Sequence, residues 1–337
     1  MIIRDSVYGA VDVRDKPMLE LIRSEAFQRL RDISQQGVPK EYIMPSQPAF
    51  YRYDHCVGVM LALRRLGAGQ EEQVAGLLHD VSHTAFSHLV DYIFGGGDKE
   101  DYQDSVHHTF FGEGTELAGI LARNGFDPSR ISKLEGFSLL EREQPEMCAD
   151  RLDYTLRYWA AKGEGARVRR CLGAARAVDG TIVFGSRAAA REFARMHMVW
   201  QAEWRGYGSL QFDMRIRWYI FGEALRIAMD KGIINRDDFN RTDSYVLGKI
   251  KAAGDGRICG LLDALDGPMR YKLATGRPKL VLRSKFRWVD PLFVENGEMR
   301  RLSEVDGRFK REIAEHMELS KAGIRLASIS GVSIPIK

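Results

Sequence analysis

The sequence predicts a mostly α-helical protein with a smaller mixed α/β C-terminal portion, and three observations carry that prediction. Apolar residues recur at helical spacing through most of the first 165 positions. Turn-bounded apolar runs of strand length come later in the chain. The 337 residues, 45% hydrophobic and 28% charged, have the composition of a globular protein with a sizeable core. The expected division is a core over residues 1–165 and an extension over 166–337 that holds a short hairpin and a strand-containing C-terminal part.

In order along the chain, PMLELIRSEAFQRLRDI (residues 17–33) places Leu19, Ile22, Phe27, Leu30 and Ile33 near one stripe and predicts a single amphipathic helix that ends before Gly37. A loop with proline and aromatics, PSQPAFYRYD, follows. HCVGVMLALRRLG, from His55, predicts a mostly buried helix, and EEQVAGLLHD a third whose last turn enters HDVSHTAFSH. FGGGDKEDYQDS (residues 94–105) is a glycine-rich connection expected to be mobile. Helices are expected through FFGEGTELAGILARNG and PEMCADRLDYTLRYWAAK. RAVDGTIVFGS, with Asp-Gly between apolar runs, predicts a β-hairpin. A long helical stretch is expected from about Arg187 to Lys231, then two helices in INRDDFNRTDSYVLGKIKAAG, then strand in PKLVLRSKFRWVDPLFV.

A net charge of +4 is too weak to diagnose nucleic-acid binding and is compatible with an anionic substrate. No run approaches the ~18–20 apolar residues of a membrane helix. MIIRDSVYGAVDV lacks the apolar run of a signal peptide. Cys56, Cys148, Cys171 and Cys259 form no C-x-x-C pair. These features predict a cytoplasmic protein with reduced thiols and no membrane partner.

Six of the eight histidines lie between His55 and His108. On a helix, His79 and His83 would share a face. His55, His79, Asp80 and Asp150 together offer two imidazoles and two carboxylates, a mixed set that suits one divalent ion such as Mn, Fe, Zn, Ni or Co and leaves positions for water and substrate. His83, His88 and His107 would then be spare imidazoles suited to acid–base work near neutrality. The alternative is a group of hydrogen-bonded core histidines.

Five ordered motifs resemble the HD superfamily of metal-dependent phosphohydrolases, and more narrowly its deoxynucleoside triphosphate triphosphohydrolase branch, which includes the SAM-and-HD-domain enzymes. IRDSVYGAVDV resembles the family's opening segment, FQRLRDISQQG its "RLR-x-I-x-Q-L-G" helix and YRYDHCVGV its "R-F-E-H-S-x-G-V". LLHDVSHTAFSHLVDYIF resembles "L-x-H-D-x-G-H-x-P-F-S-H", and ADRLDYTLRY resembles "x-D-x-x-D-Y". The resemblance runs from residue 2 to about 165, more faintly to about 250, and implies an HD-type helical core.

By that resemblance His55, His79, Asp80 and Asp150 hold one divalent ion, with Mg added to the candidates above. Arg52 reaches a phosphate oxygen, and His83, His88 and His107 line the phosphate side. Asp91 orients a histidine, Tyr154 packs on the sugar and Gln35 contacts sugar or base. Of the pair His107–His108, His107 aligns best. The chain departs from the pattern at Tyr158, where the triphosphohydrolases carry an aspartate for the sugar 3′-hydroxyl, and at Gln36, where they carry leucine. The implied function is hydrolysis of a nucleotide, foremost a dNTP to deoxynucleoside and triphosphate, by a homo-oligomer. Other HD chemistries remain open: a nucleotidase, a cyclic-nucleotide phosphodiesterase, or a di-iron oxygenase with a second metal on His83 and His107. So does a non-catalytic nucleotide-sensing or nucleic-acid-binding protein.

Outside the core, Arg167, Arg169 and Arg170 form a basic run read as a solvated face or a phosphate contact. Arg277, Lys279, Arg283, Lys285 and Arg287 fit a wet strand face or an anion site, and MHMVWQAEWRGYG fits core packing or a base-stacking surface.

Overall fold

The computed structural model describes residues 1–95, 100–206 and 212–333, and it is mainly helical with three small sheets. Its centre is the helix Arg52–Arg65, in which His55 and every residue from Cys56 to Leu63 is buried. Helices Gln70–Leu78 and Ala149–Ala161 pack against it. Two glycines permit the close approach. A Cβ on Gly76 would overlap the Leu63 side chain, and one on Gly58 would overlap Asp153 and Arg157. The three helix segments that carry His55, His79 and Asp150 are thereby drawn together at their ends.

The predicted helix over 17–33 is three pieces. Lys16–Arg23 ends at Ser24, Glu25–Gln28 forms one further turn, and Arg29–Asp32 tightens to a 3-10 turn. Ser24 has extended backbone, and its Oγ donates to Leu21 O at 2.7 Å and accepts from Phe27 N at 3.3 Å. A serine that offers the backbone these alternatives competes with continuous helix, while Ile22, Phe27, Leu30 and Ile33 are still buried on one side.

The hairpin is present as Ala175–Val178 paired with Thr181–Phe184. Asp179 and Gly180 both have positive φ, 47° and 70°, as the tightest hairpin turn demands. Thr181–Phe184 then runs parallel to Leu292–Glu295, which pairs with Glu298–Arg301. A second sheet sets Ile324–Ile329 between Tyr271–Leu273 and Leu280–Leu282. Between Leu282 and Leu292 the segment expected as strand has no regular structure. An unforeseen hairpin, Ile2–Asp5 with Gly9–Asp12, opens the chain.

The stretch from Arg187 to Lys231 is two helices, Arg187–Arg205 and Asp213–Asp230, the first capped by Gly206 at φ 71°. Of the two expected in 234–254, the first is a 3-10 turn, Arg236–Asn240, and the second the helix Asp243–Ala252. Positions 96–99 of the connection expected to be mobile, and Tyr207 and Gly208 of the aromatic stretch, lie outside the described residues. Among the described residues no helix is long and apolar enough to cross a membrane.

Candidate metal centre

Helix Gln70–Leu78 stops one residue before His79, so His79 and His83 share no helical face. Residues 80–88 run as turns that aim the side chains separately. Phe86 and Ser87 have φ of 61° and 49°, a conformation costing on the order of 1–2 kcal/mol per residue. Distant groups hold the turn: Asp243 accepts from Phe86 N at 2.7 Å and Ser34 N at 2.9 Å, Ala85 N donates to Phe239 O, and Ser87 Oγ donates to Ser34 O.

His55, His79 and Asp80 offer ligand atoms that all lie within 4.8 Å of one another, and Asp150 stands beside both imidazoles. His55 Nε2 lies 2.9 Å from Asp150 Oδ1 and 3.6 Å from Asp80 Oδ2. His79 Nε2 lies 3.5 Å from Asp80 Oδ2 and 3.7 Å from Asp150 Oδ1. The far nitrogens are already engaged: His55 Nδ1 is 2.8 Å from Asp153 Oδ2, and His79 Nδ1 is 2.8 Å from Gly76 O. A carbonyl oxygen can only accept, so His79 carries its proton on Nδ1 and turns the Nε2 lone pair to the centre. That Nε2 is buried without a hydrogen-bond partner. An orphaned imidazole nitrogen, a second imidazole nitrogen and two carboxylates at this spacing fit a divalent cation.

The local field agrees. Burial disfavours charge on His55, yet hydrogen bonds accepted by Asp150 and Asp153 raise its pKa. Burial likewise opposes charge on His79, and Asp80 and Asp150 raise it well above the usual value. Burial would raise Asp80, but the Arg52 guanidinium and His79 hold it well below the carboxylate range. A field that draws protons onto two buried imidazoles favours a metal cation by the same Coulombic attraction.

The remaining expected residues surround this point. A cavity of about 550 Å³ is lined by Gln35, Arg52, His79, Asp80, His83, His88, His107, Asp150 and Tyr154. Arg52 bonds Asp80 and donates from Nε to Ser87 Oγ at 2.8 Å. His83 Nε2 is 3.2 Å from Asp80 Oδ1, and its ring meets that of His88 edge-on at 4.9 Å. His107 Nδ1 pairs with Ser82 Oγ at 3.0 Å, its Nε2 has no hydrogen-bond partner, and neighbouring His108 is exposed. Burial depresses His83 well below its ordinary pKa, and His107 to about 4. Asp91 lies behind the cavity wall, 3.8 Å from His88 Nδ1, and accepts from the amides of Asp101 and Tyr102.

Tyr158 is outside the lining. It is fully buried, with Oη 2.9 Å from Gln47 Oε1 and against the Glu203 carboxylate. Gln36 spends its amide on Pro48 O and Phe50 N, closing the loop before the Arg52 helix. Arg167 and Arg170 pair with Glu192 away from the cavity. In the aromatic stretch Trp200 packs on Tyr154 at 4.6 Å, and Trp200 and Trp204 line the cavity.

Sequence reading missed Asp153, which holds His55 from behind and receives Arg157 on both oxygens at 2.9 and 3.0 Å. The signal was available, since Asp150 and Asp153 are one helical turn apart. It also missed Glu100, Glu141, Arg205 and Arg215, which line the cavity. They come from segments with no motif, and only folding brings them together.

The HD-domain family model matches residues 52–155. The chain is 29% identical to the uncharacterized protein YdhJ of Bacillus subtilis, over 96% of this chain and 98% of that one. It is 39% identical over 157 residues to the metal-dependent phosphohydrolase cns2 of Cordyceps militaris, covering 47% of this chain and 44% of that one. The chain thus spans nearly all of the first relative's length and less than half of the second's. The fold is similar to that of a phosphohydrolase from Bacteroides thetaiotaomicron, with a TM-score of 0.62 at 15% identity over 91% of this chain and 95% of that one. Residues 52–155 are thus an HD domain, and with its motifs in family order and its imidazoles and carboxylates turned toward one another at the ends of three helices, the chain is similar to the HD-domain metal-dependent phosphohydrolases.

Proposed function

We propose that the chain hydrolyses a phosphate-bearing nucleotide at this centre, foremost a dNTP to deoxynucleoside and triphosphate, with one divalent ion held by His55, His79, Asp80 and Asp150. The observation that carries the reading is the convergence of His55 Nε2, His79 Nε2 and the two carboxylates beside a cavity lined with both cations and aromatic rings. A divalent ion bound there polarises a phosphate oxygen and lowers the pKa of water from 15.7 toward ~7.

The chain's own residues supply the rest. Arg52, fixed by Asp80 and Ser87, presents fixed positive charge to phosphate oxygens. His83 and His107 are neutral near pH 7, and the negative charge of a bound phosphate raises them toward the range of a general acid. His107, with Nε2 unengaged, is the better placed to protonate a leaving alkoxide. Asp91, 3.8 Å from His88 Nδ1 and beyond hydrogen-bond reach, acts on that ring through its charge. Tyr154, backed by Trp200, offers a ring for the sugar, and Gln35 an amide for sugar or base.

Tyr158 favours a second reading, in which the substrate is another nucleotide phosphoester. Its hydroxyl is spent on Gln47 and Glu203, so it replaces no contact to a sugar 3′-hydroxyl. Incubation with a panel of nucleoside mono-, di- and triphosphates in Mn²⁺, Co²⁺ and Mg²⁺, with products separated, decides between them. Release of inorganic triphosphate from dNTPs supports the first reading. Orthophosphate from monophosphates supports the second, and no turnover of any nucleotide refutes both.

A further inference from the structure

One carboxylate in the cavity is in an unusual place. Glu100 receives Arg205 on both oxygens, at 2.9 and 3.2 Å, and Arg287 Nη2 on Oε2 at 2.6 Å. All three residues line the cavity that contains the His/Asp centre. Trp200 and Trp204 line the same cavity, and their indole N–H groups are buried without a hydrogen-bond partner. An indole nitrogen can only donate, so the cavity wall holds two donors awaiting an acceptor. Two guanidinium forks and two indole donors make a surface for an oxyanion, and arginine receives carboxylate and phosphate oxygens with the same geometry.

The pair also sits electrostatically next to the centre. Half-buried Arg287 feels the charge of Asp150 as well as that of Glu100. Partial burial of Glu100 opposes its charge, but Arg205 and Arg287, with a smaller contribution from His88, keep it ionised.

We propose that Arg205 and Arg287 form an anion subsite for a phosphate group other than the one at the metal centre, and that Glu100 is its resident competitor, displaced only by a polyanionic substrate. This deepens the phosphohydrolase reading and rests on it for the identity of the ligand as a polyphosphate. With Glu100 in place the two arginines carry a net single positive charge; with it displaced they offer two. A singly charged group gains too little from one guanidinium to compete. A polyphosphate that engages both, and the metal centre as well, displaces the carboxylate. Glu100 is then a specificity-determining residue that sets how much anionic charge a ligand must bring.

The test uses the full chain and inorganic tripolyphosphate, with orthophosphate as the low-charge probe, by titration calorimetry. Removing a competitor raises apparent affinity by the fraction of sites it had closed, so Glu100→Gln is expected to bind tripolyphosphate roughly tenfold more tightly than wild type. Orthophosphate affinity should rise by a larger factor, which narrows the discrimination between the probes. Glu100→Asp, which keeps the charge but shortens its reach, should fall between wild type and Glu100→Gln. Adding Arg287→Gln to Glu100→Gln should abolish the gain. Unchanged or weaker tripolyphosphate binding in both Glu100 variants would overturn the proposal, because a purely structural counterion would loosen the arginines when neutralised. Binding is read without turnover, so a chain that shows these affinities and hydrolyses no nucleotide retains the subsite and loses the reading of its substrate.

Discussion

Replacing Asp153 with asparagine tests how the centre is held. The carboxylate takes His55 Nδ1 at 2.8 Å and two Arg157 nitrogens at 3.0 and 2.9 Å, and it is fully buried. Asparagine keeps one acceptor oxygen and turns an NH₂ toward whichever partner it cannot satisfy. If that partner is His55, the ring can accept only by moving its proton to Nε2, which removes the lone pair aimed at Asp80 and Asp150. If it is Arg157, a buried guanidinium keeps only its contact to Asp5 at 2.9 Å. Breaking a buried ion pair by neutralising one partner costs about 3–5 kcal/mol. The retained oxygen and Asp5 place Asp153→Asn at the lower end, about 3 kcal/mol. Loss of the group orienting a ligand imidazole typically weakens metal binding roughly 10–100-fold. Urea denaturation reads the first quantity and Zn²⁺ or Mn²⁺ titration the second. A variant with wild-type metal affinity would refute the role given to Asp153.

Gly58→Ala attacks the same contact from the opposite helix, because the new Cβ overlaps Asp153 and Arg157; the expected result is a loss of about 1–3 kcal/mol in urea denaturation, with weakened metal retention. His107→Ala should lower kcat by ~10²–10⁴-fold with metal content unchanged, while His79→Ala and Asp80→Ala should lose both; elemental analysis beside the activity assay checks this, and loss of metal from His107→Ala would contradict the assignment. His197, fully buried against Thr155 and Tyr154, is pushed down to about 3 by burial and then by Arg151. The unfolded histidine takes up a proton below pH ~6.5, whereas the folded one does not until about pH 3. Its contribution is therefore complete above pH ~6.5 and is lost as pH falls toward 3, so between pH 7.5 and 5.5 wild type should lose about 1.4 kcal/mol more than His197→Asn in urea denaturation; equal losses would refute it.

Much of the candidate centre was legible in the sequence, because the proposed ligands His55, His79, Asp80 and Asp150 sit in local patterns that survive without knowledge of the fold. What positions them was less legible. His79 and His83 were placed on one helix face, but the chain leaves the helix at Leu78 and is bent by a turn that Asp243 holds from about 160 residues away. No local pattern announces such a contact. Ser24 shows the same limit at short range: the apolar stripe of 17–33 is real and buried, yet a single hydroxyl divides the helix that carries it. The Asp179–Gly180 hairpin was readable because its two residues tolerate the positive φ that the turn requires. Glu100, Arg205 and Arg287 were not readable as a group, since their meeting depends on three segments that share no spacing rule.

The most direct measurement is an anomalous-scattering map from crystals of the full chain grown with Zn²⁺. The account expects one strong peak within about 2.0–2.2 Å of His55 Nε2, His79 Nε2 and an oxygen each of Asp80 and Asp150. A peak elsewhere, with those four side chains unliganded, would contradict it.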